Sequence, residues 1–67
     1  MAVIKTIDLV GVSSDSWTDA AHQAFDEASK TLRNVEGFTV LEKSAITEDG
    51  EITEYHTSVR IRFRISR

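Results

Sequence analysis

The segment Glu51 to Ile65 constrains the fold more than any other part of this 67-residue chain. Polar and apolar side chains alternate along its length, which is typical of a strand with one buried face. One face carries the mainly apolar residues Tyr55, Thr57, Val59, Ile61, Phe63 and Ile65. The other face carries the polar residues Glu54, His56, Ser58, Arg60, Arg62 and Arg64.

The first half of the chain predicts a strand followed by a helix. β-Branched residues favour a strand from Val3 to Val10, which Gly11 is expected to end. The polar cluster at 13–16 offers helix N-cap residues, and apolar residues then recur at helical spacing to about Arg33. The apolar stripe consists of Trp17, Ala21, Ala24, Ala28, Leu32 and Val35.

The second half predicts a helix exit and a β-hairpin. Gly37 follows Asn34 and is expected to leave the helix with a positive φ. A strand then runs from 38 to 46, and Asp49-Gly50 favours a tight turn. The fold class is therefore α+β, in the order β-α-β-β, with a three-stranded antiparallel sheet wrapped around one helix in a single domain over residues 1–67.

Such a chain is expected to assemble with copies of itself. A domain of this size buries only about 60% of the surface that its unfolded form exposes, and no cysteine is present to form disulfides. The last strand spans roughly 50 Å, whereas the helix spans about 30 Å, so the strand projects beyond the helix. A closed symmetric oligomer is predicted; a monomer or dimer with a solvated outer face is the alternative.

The charge distribution narrows the class of partner. Four of the eight basic residues are Arg60, Arg62, Arg64 and Arg67, and the first 59 residues carry 4 basic and 11 acidic side chains, a net of −7. This balance argues against general nucleic-acid binding, but the arginines form either one anion-binding strand or cross-strand ion pairs. Neither a membrane-spanning run nor a signal-peptide layout is present, so a soluble cytoplasmic protein is expected.

No catalytic constellation emerges from the residues. Nucleophilic cysteine and a phosphate-binding loop are absent, and the adjacent acids Asp26 and Glu27 diverge on the predicted helix. We therefore expect a binding protein rather than an enzyme.

Short motifs in matching order and spacing cover the whole chain. They are Ile7–Ser13, Ser16–Ala21, Lys30–Val35, Glu54–His56 and Arg62–Ile65. In these motifs the chain resembles the dodecins, small β-α-β-β proteins that assemble into hollow dodecamers. The resemblance implies a homododecamer that stores or sequesters a flavin, riboflavin or FMN, at its subunit interfaces. Flavin-binding members stack pairs of isoalloxazine rings between tryptophans, and a glutamine on the third strand bonds the polar edge of the ring.

The resemblance also implies a set of ligand-binding positions. Gly37 stands where the stacking tryptophan precedes Phe38, and His56 stands in place of the glutamine. Ser44 occupies a position that is arginine in some bacterial members. Glu42 matches an acidic position near the flavin side chain, and Arg64 matches a basic position used for a phosphate-bearing partner. The expected cofactor-binding set is Gly37, Phe38, Glu42, Ser44, His56 and Arg64.

Several of these residues have alternative interpretations. Gly37 either widens a pocket or serves as the helix-exit glycine, and His56 either contacts a flavin edge or is an outward polar side chain. Trp17 fits a core anchor better than a ligand-stacking ring. The whole chain is alternatively a dodecin scaffold without flavin, either structural or binding a metal ion such as calcium. Acids such as Glu48, Asp49 and Glu51 could ligate that ion, although a solvated hairpin explains them as well.

Overall fold

The computed structural model describes residues 2–65, so Arg67 lies outside the described residues. Its elements are β1 (Val3–Ser13), α1 (Trp17–Thr31), β2 (Val35–Glu48) and β3 (Glu51–Ile65). The antiparallel sheet has the order β1-β3-β2, which places the alternating C-terminal strand at its centre. The predicted α+β class and element order are confirmed.

The core lies between α1 and one face of the sheet. Val59 and Ile61 of β3 are fully buried, because the helix covers them. The helix presents only small residues there, namely Ala20, Ala21, Ala24 and Ala28. Around this centre the ring of Phe25 packs on that of Phe38, with centroids 5.5 Å apart. The core is therefore thin and confined to one face of the sheet.

A network of polar groups fixes the start of the helix. Ser16 is the N-cap, and its hydroxyl accepts a hydrogen bond from the backbone N–H of Asp19 at 2.9 Å. The hydroxyl of Ser13 donates to the Asp19 carboxylate at 2.6 Å and accepts from the Asp15 N–H at 2.9 Å. The predicted capping cluster is confirmed, and it ties the end of β1 to the first turn of α1.

The helix exit differs from the prediction. The helix ends at Thr31 rather than Arg33, and Asn34 takes the left-handed conformation with φ 59°. Val35, expected on the helical stripe, begins β2. The prediction of Gly37 as a positive-φ exit glycine is wrong, because Gly37 lies inside β2 and the turn is already made at Asn34.

The prediction that Gly11 ends the first strand is also wrong. β1 continues through Gly11 to Ser13. A Cβ atom on Gly11 would lie 1.8 Å from the carbonyl oxygen of Ala20 and 3.2 Å from the Cβ of Ala24. The absence of a side chain there lets α1 lie directly against the strand.

The β2–β3 hairpin extends beyond the helix. Pairing of β1 with β3 ends at Ser13 and Tyr55, so residues 46–54 form a two-stranded arm that neither β1 nor α1 accompanies. The described chain measures 52 × 19 × 13 Å. Ile46 and Ile52 on the arm are each 46% exposed. The predicted mismatch in length between strand and helix is confirmed. Within residues 2–65, no helix is long and apolar enough to cross a membrane.

The contact at Gly11 leads to a stability prediction. Gly11→Ala should lower the free energy of unfolding by about 3 kcal/mol, because its methyl group overlaps backbone that cannot move aside cheaply. Gly37→Ala is the matched control: a Cβ there meets nothing within 4 Å, so the change should stay within about 0.5 kcal/mol. Urea denaturation at equal protein concentrations measures both. Equal unfolding midpoints for the two variants would contradict the close approach.

Candidate ligand-binding site

The face of the sheet turned away from α1 is the candidate binding surface, and we call it the outer face. Buried Thr57, Val59 and Ile61 point towards the helix, so the alternate residues of β3 point the other way. Residues directly opposite each other in the antiparallel pairing share a face. The outer face thus carries Glu54, His56, Ser58, Arg60, Arg62 and Arg64 of β3 together with their partners on β1 and β2.

Five of the six expected ligand-binding residues lie on the outer face. Ser44 is directly opposite His56, and Glu42 is opposite Ser58, one pair further along. Gly37 and Arg64 lie farther towards the end of β3, since Gly37 pairs with Arg62. These are two separate groups: His56 and Arg62 are six residues apart, or roughly 20 Å along the strand.

Phe38 does not join either group. It is paired with buried Ile61 and packs against Phe25 on the helix side of the sheet. There it lines a groove of about 180 Å³ between α1 and β2. The groove is lined by Trp17, Thr18, Ala21, His22, Phe38, Val40, Lys43 and Thr57.

Trp17 is held by its own chain at the edge of this groove. Its ring meets Tyr55 edge-on with centroids 4.7 Å apart, and its indole N–H donates to the Ser44 carbonyl at 2.7 Å. The Thr57 hydroxyl donates to the Trp17 carbonyl at 2.8 Å. These contacts agree with the interpretation of Trp17 as an anchor between the helix start and the sheet.

His56 sits at the centre of the outer face beside a carboxylate. Its Nε2 atom is 3.0 Å from Glu54 Oε1, and the two side chains are 25% and 50% exposed. Glu54 is not among the residues expected to bind ligand. The spacing Glu-x-His on an alternating strand nevertheless places both side chains on one face, so their proximity was predictable from the sequence. Val12 lies opposite His56 on β1 and is 45% exposed.

The arginines of β3 pair with carboxylates of the same chain. Arg60 donates two hydrogen bonds to Asp8, at 2.9 and 3.1 Å. Arg64 donates to Glu36 at 2.7 Å, and Arg62 lies 3.6 Å from the same carboxylate. The three described arginines of β3 thus form cross-strand ion pairs rather than an open anion-binding row.

The Asp8–Arg60 pair changes the acidity of both groups. The hydrogen bond from Arg60 lowers the pKa of the Asp8 carboxyl below its ordinary value and raises the pKa of Arg60. Both side chains are about half exposed, so this pair adds little to stability.

Within the described part of the chain, the acids of the turn do not belong to a cluster that could hold a metal ion. Among residues 2–65, no group of three or more histidine, aspartate or glutamate side chains is placed to hold a metal ion. Glu48, Asp49 and Glu51 are exposed around a turn in which Asp49 and Gly50 have positive φ, as the predicted hairpin requires.

A small sheet with one face covered by its own helix and an open, partly apolar second face is a scaffold suited to binding and self-association. Comparisons with known proteins assign that scaffold to a family. The dodecin family model matches residues 3–66. A calcium dodecin from Mycobacterium tuberculosis is 32% identical over an alignment of 66 residues that covers 97% of this chain and 92% of that protein. A dodecin from Thermus thermophilus is 32% identical over 63 residues, covering 94% and 91%.

The solved structures agree with the family model. An arginine-to-alanine variant of the Thermus thermophilus dodecin superimposes with a TM-score of 0.94 at 30% identity and covers 100% of both chains. The chain belongs to the dodecin family, as its motifs predicted.

The ion pair at Asp8 leads to a pH prediction. Because its folded-state pKa is lowered, the pair stabilises the fold above the ordinary carboxyl pKa of about 3.9 and is lost as the pH falls through the lower folded value. An NMR titration of the Asp8 carboxyl should show a midpoint below about 3.9, and Arg60→Gln should return it towards that value. Arg62→Gln, whose partner is Glu36, is the control and should leave the midpoint in place. A normal Asp8 midpoint in the unmodified protein would contradict the pair.

Proposed function

We propose that this chain forms a hollow homododecamer that stores or sequesters a flavin, riboflavin or FMN, at its subunit interfaces. Family membership supports the assembly, and the family resemblance supports the ligand. The observation that carries the proposal is the separation of the two residue groups on the outer face.

The distance between these groups favours a site shared by copies of the chain. In flavin-binding dodecins, the positions of Gly37 and His56 both serve the ring. Here Gly37 pairs with Arg62, which lies roughly 20 Å along β3 from His56. This distance is too long for one fused three-ring ligand to contact both positions within a single chain. A ligand that uses both positions must therefore take them from different copies.

The exposed apolar surface of the chain supports the same assembly. Val10 and Val12 lie beside His56 on the outer face and are 56% and 45% exposed. Ile46 and Ile52 extend this apolar surface onto the projecting arm. Contact with other copies would remove these side chains from water and wall off the ligand.

A second candidate is a dodecin scaffold that binds calcium or serves a purely structural role. The similarity to a protein named calcium dodecin favours it. Since residues 2–65 of one chain hold no cluster of three or more histidine, aspartate or glutamate side chains placed for a metal ion, such a site would combine carboxylates from different copies.

Light scattering combined with ligand titration tests both candidates. We expect a mass corresponding to a dodecamer of the 7.5 kDa chain, together with quenching of riboflavin fluorescence as the flavin is immobilised. A dodecamer that neither quenches riboflavin nor melts higher with it, but melts higher with calcium, would favour the second candidate. A mass of one chain would refute both.

Restoring the two family residues should strengthen flavin binding. Gly37 has an open Cβ position and no positive φ, so Gly37→Trp combined with His56→Gln can be built without backbone strain. Stacking on the new indole should tighten riboflavin binding by about tenfold, measured by fluorescence quenching. The control is Thr39→Trp with His56→Gln, which adds the same ring one outer-face position away. An equal gain from both double variants, or none from the first, would contradict the proposed geometry.

A further inference from the structure

We infer that Glu54 positions His56 as a hydrogen-bond acceptor, so that the site selects planar ligands with a ring N–H and releases them on acidification. This inference rests on the proposed function and adds the ligand class and its pH control. It starts from the 3.0 Å contact between His56 Nε2 and Glu54 Oε1.

The carboxylate decides which ring nitrogen carries the proton. An ionised carboxylate only accepts hydrogen bonds, so a neutral imidazole bonded to it must hold its proton on Nε2. The other nitrogen, Nδ1, is then an acceptor. Within the described residues, the ring makes this hydrogen bond alone.

A single acceptor at this position can match fewer polar groups of a ligand edge than a glutamine can. A glutamine amide presents an acceptor and a donor together, whereas neutral His56 held by Glu54 presents one acceptor. The matching ligand edge is a ring N–H, such as the imide N3–H of a flavin. A ligand methylated at that nitrogen leaves Nδ1 without a partner, and an unmatched buried acceptor costs affinity.

Protonation of the imidazole removes the acceptor. The groups that face it are Val10 and Val12 from β1, Glu42 and Ser44 from β2, and Glu54 and Ser58 from β3, while α1 lies on the other side of the sheet. Glu54 and Glu42 are the charged groups in this set. When the imidazole gains a proton, Nδ1 becomes a donor and opposes the ligand N–H, so the matched edge is lost.

Binding of lumiflavin and N3-methyl-lumiflavin tests the inference. At about pH 8, we expect lumiflavin to bind roughly tenfold more tightly than the methylated ring. At a lower pH, at which nitrogen-15 shifts of the ring show that His56 is protonated on both nitrogens, this preference should disappear as lumiflavin is released. Fluorescence quenching of the assembled protein measures both affinities.

Two variants separate the roles of the residues. Glu54→Gln removes the obligate acceptor, so the preference for the N–H ring should fall several-fold, while Glu54→Asp keeps a carboxylate and should restore much of it. His56→Gln should keep the preference but lose its dependence on pH, because the amide does not titrate. If the preference for lumiflavin arose only from a steric clash with the methyl group, the Glu54→Gln protein would keep the full preference of the unmodified protein. That result would overturn the inference.

NMR of the ligand-free protein separates this inference from the proposed function. Nitrogen-15 shifts of the His56 ring at about pH 8 should show the proton on Nε2. A proton on Nδ1, or equal binding of the two lumiflavins, overturns the inference and leaves flavin storage standing. No binding of lumiflavin at either pH refutes the proposed function and, with it, the ligand selectivity.

Discussion

The close contact between α1 and β1 determines how the rest of the molecule is built. Gly11 has no side chain, and the helix approaches it with alanines, so backbone lies almost against backbone. Small residues bring little apolar area into such a contact, and the fully buried core side chains come from the central strand. One short helix also covers only one face of a sheet that is much longer than itself. The other face must therefore meet either water or another molecule.

The outer face carries little unbalanced charge and one directional polar group. Its arginines are engaged by Asp8 and Glu36, so their positive charge is largely balanced within the chain. The stretch around His56 differs, because exposed valines flank a half-buried imidazole that a carboxylate orients. A flat, partly apolar surface with one directional polar group suits a planar ligand with a polar edge. It leaves the far side of such a ligand to be covered by a second chain.

The sequence predicted the elements well because each has a clear periodicity. The two-residue alternation of β3 and the helical recurrence of alanines do not depend on distant contacts. Gly50 was predicted correctly, but Gly11 and Gly37 were not, since the presence of a glycine does not show which structural requirement it meets. At Gly11 the reason is the carbonyl oxygen of Ala20, which only the folded chain brings near. At Gly37 the turn had already been made by Asn34.

The candidate site was harder to predict because β2 is irregular. Phe38 and Glu42 are four residues apart, and strict alternation would place both on the same face. A register shift between Val40 and Glu42 reverses the alternation, so Phe38 faces the helix while Glu42 and Ser44 face outward. Another shift between Val35 and Gly37 frees Glu36 to meet two arginines. No feature of the local sequence predicts either register shift. The contact between Glu54 and His56, in contrast, could have been predicted from their spacing on an alternating strand.

The order of the projecting arm at 46–54 would depend on assembly. A two-stranded ribbon has few contacts of its own and is only marginally stable in water. In a solitary chain this segment would fray first, exchanging its amide protons rapidly while the strands beneath α1 stay protected. The arm would therefore become rigid only when another chain packs against it. Amide exchange at the tip of the hairpin would then show whether the chain is assembled.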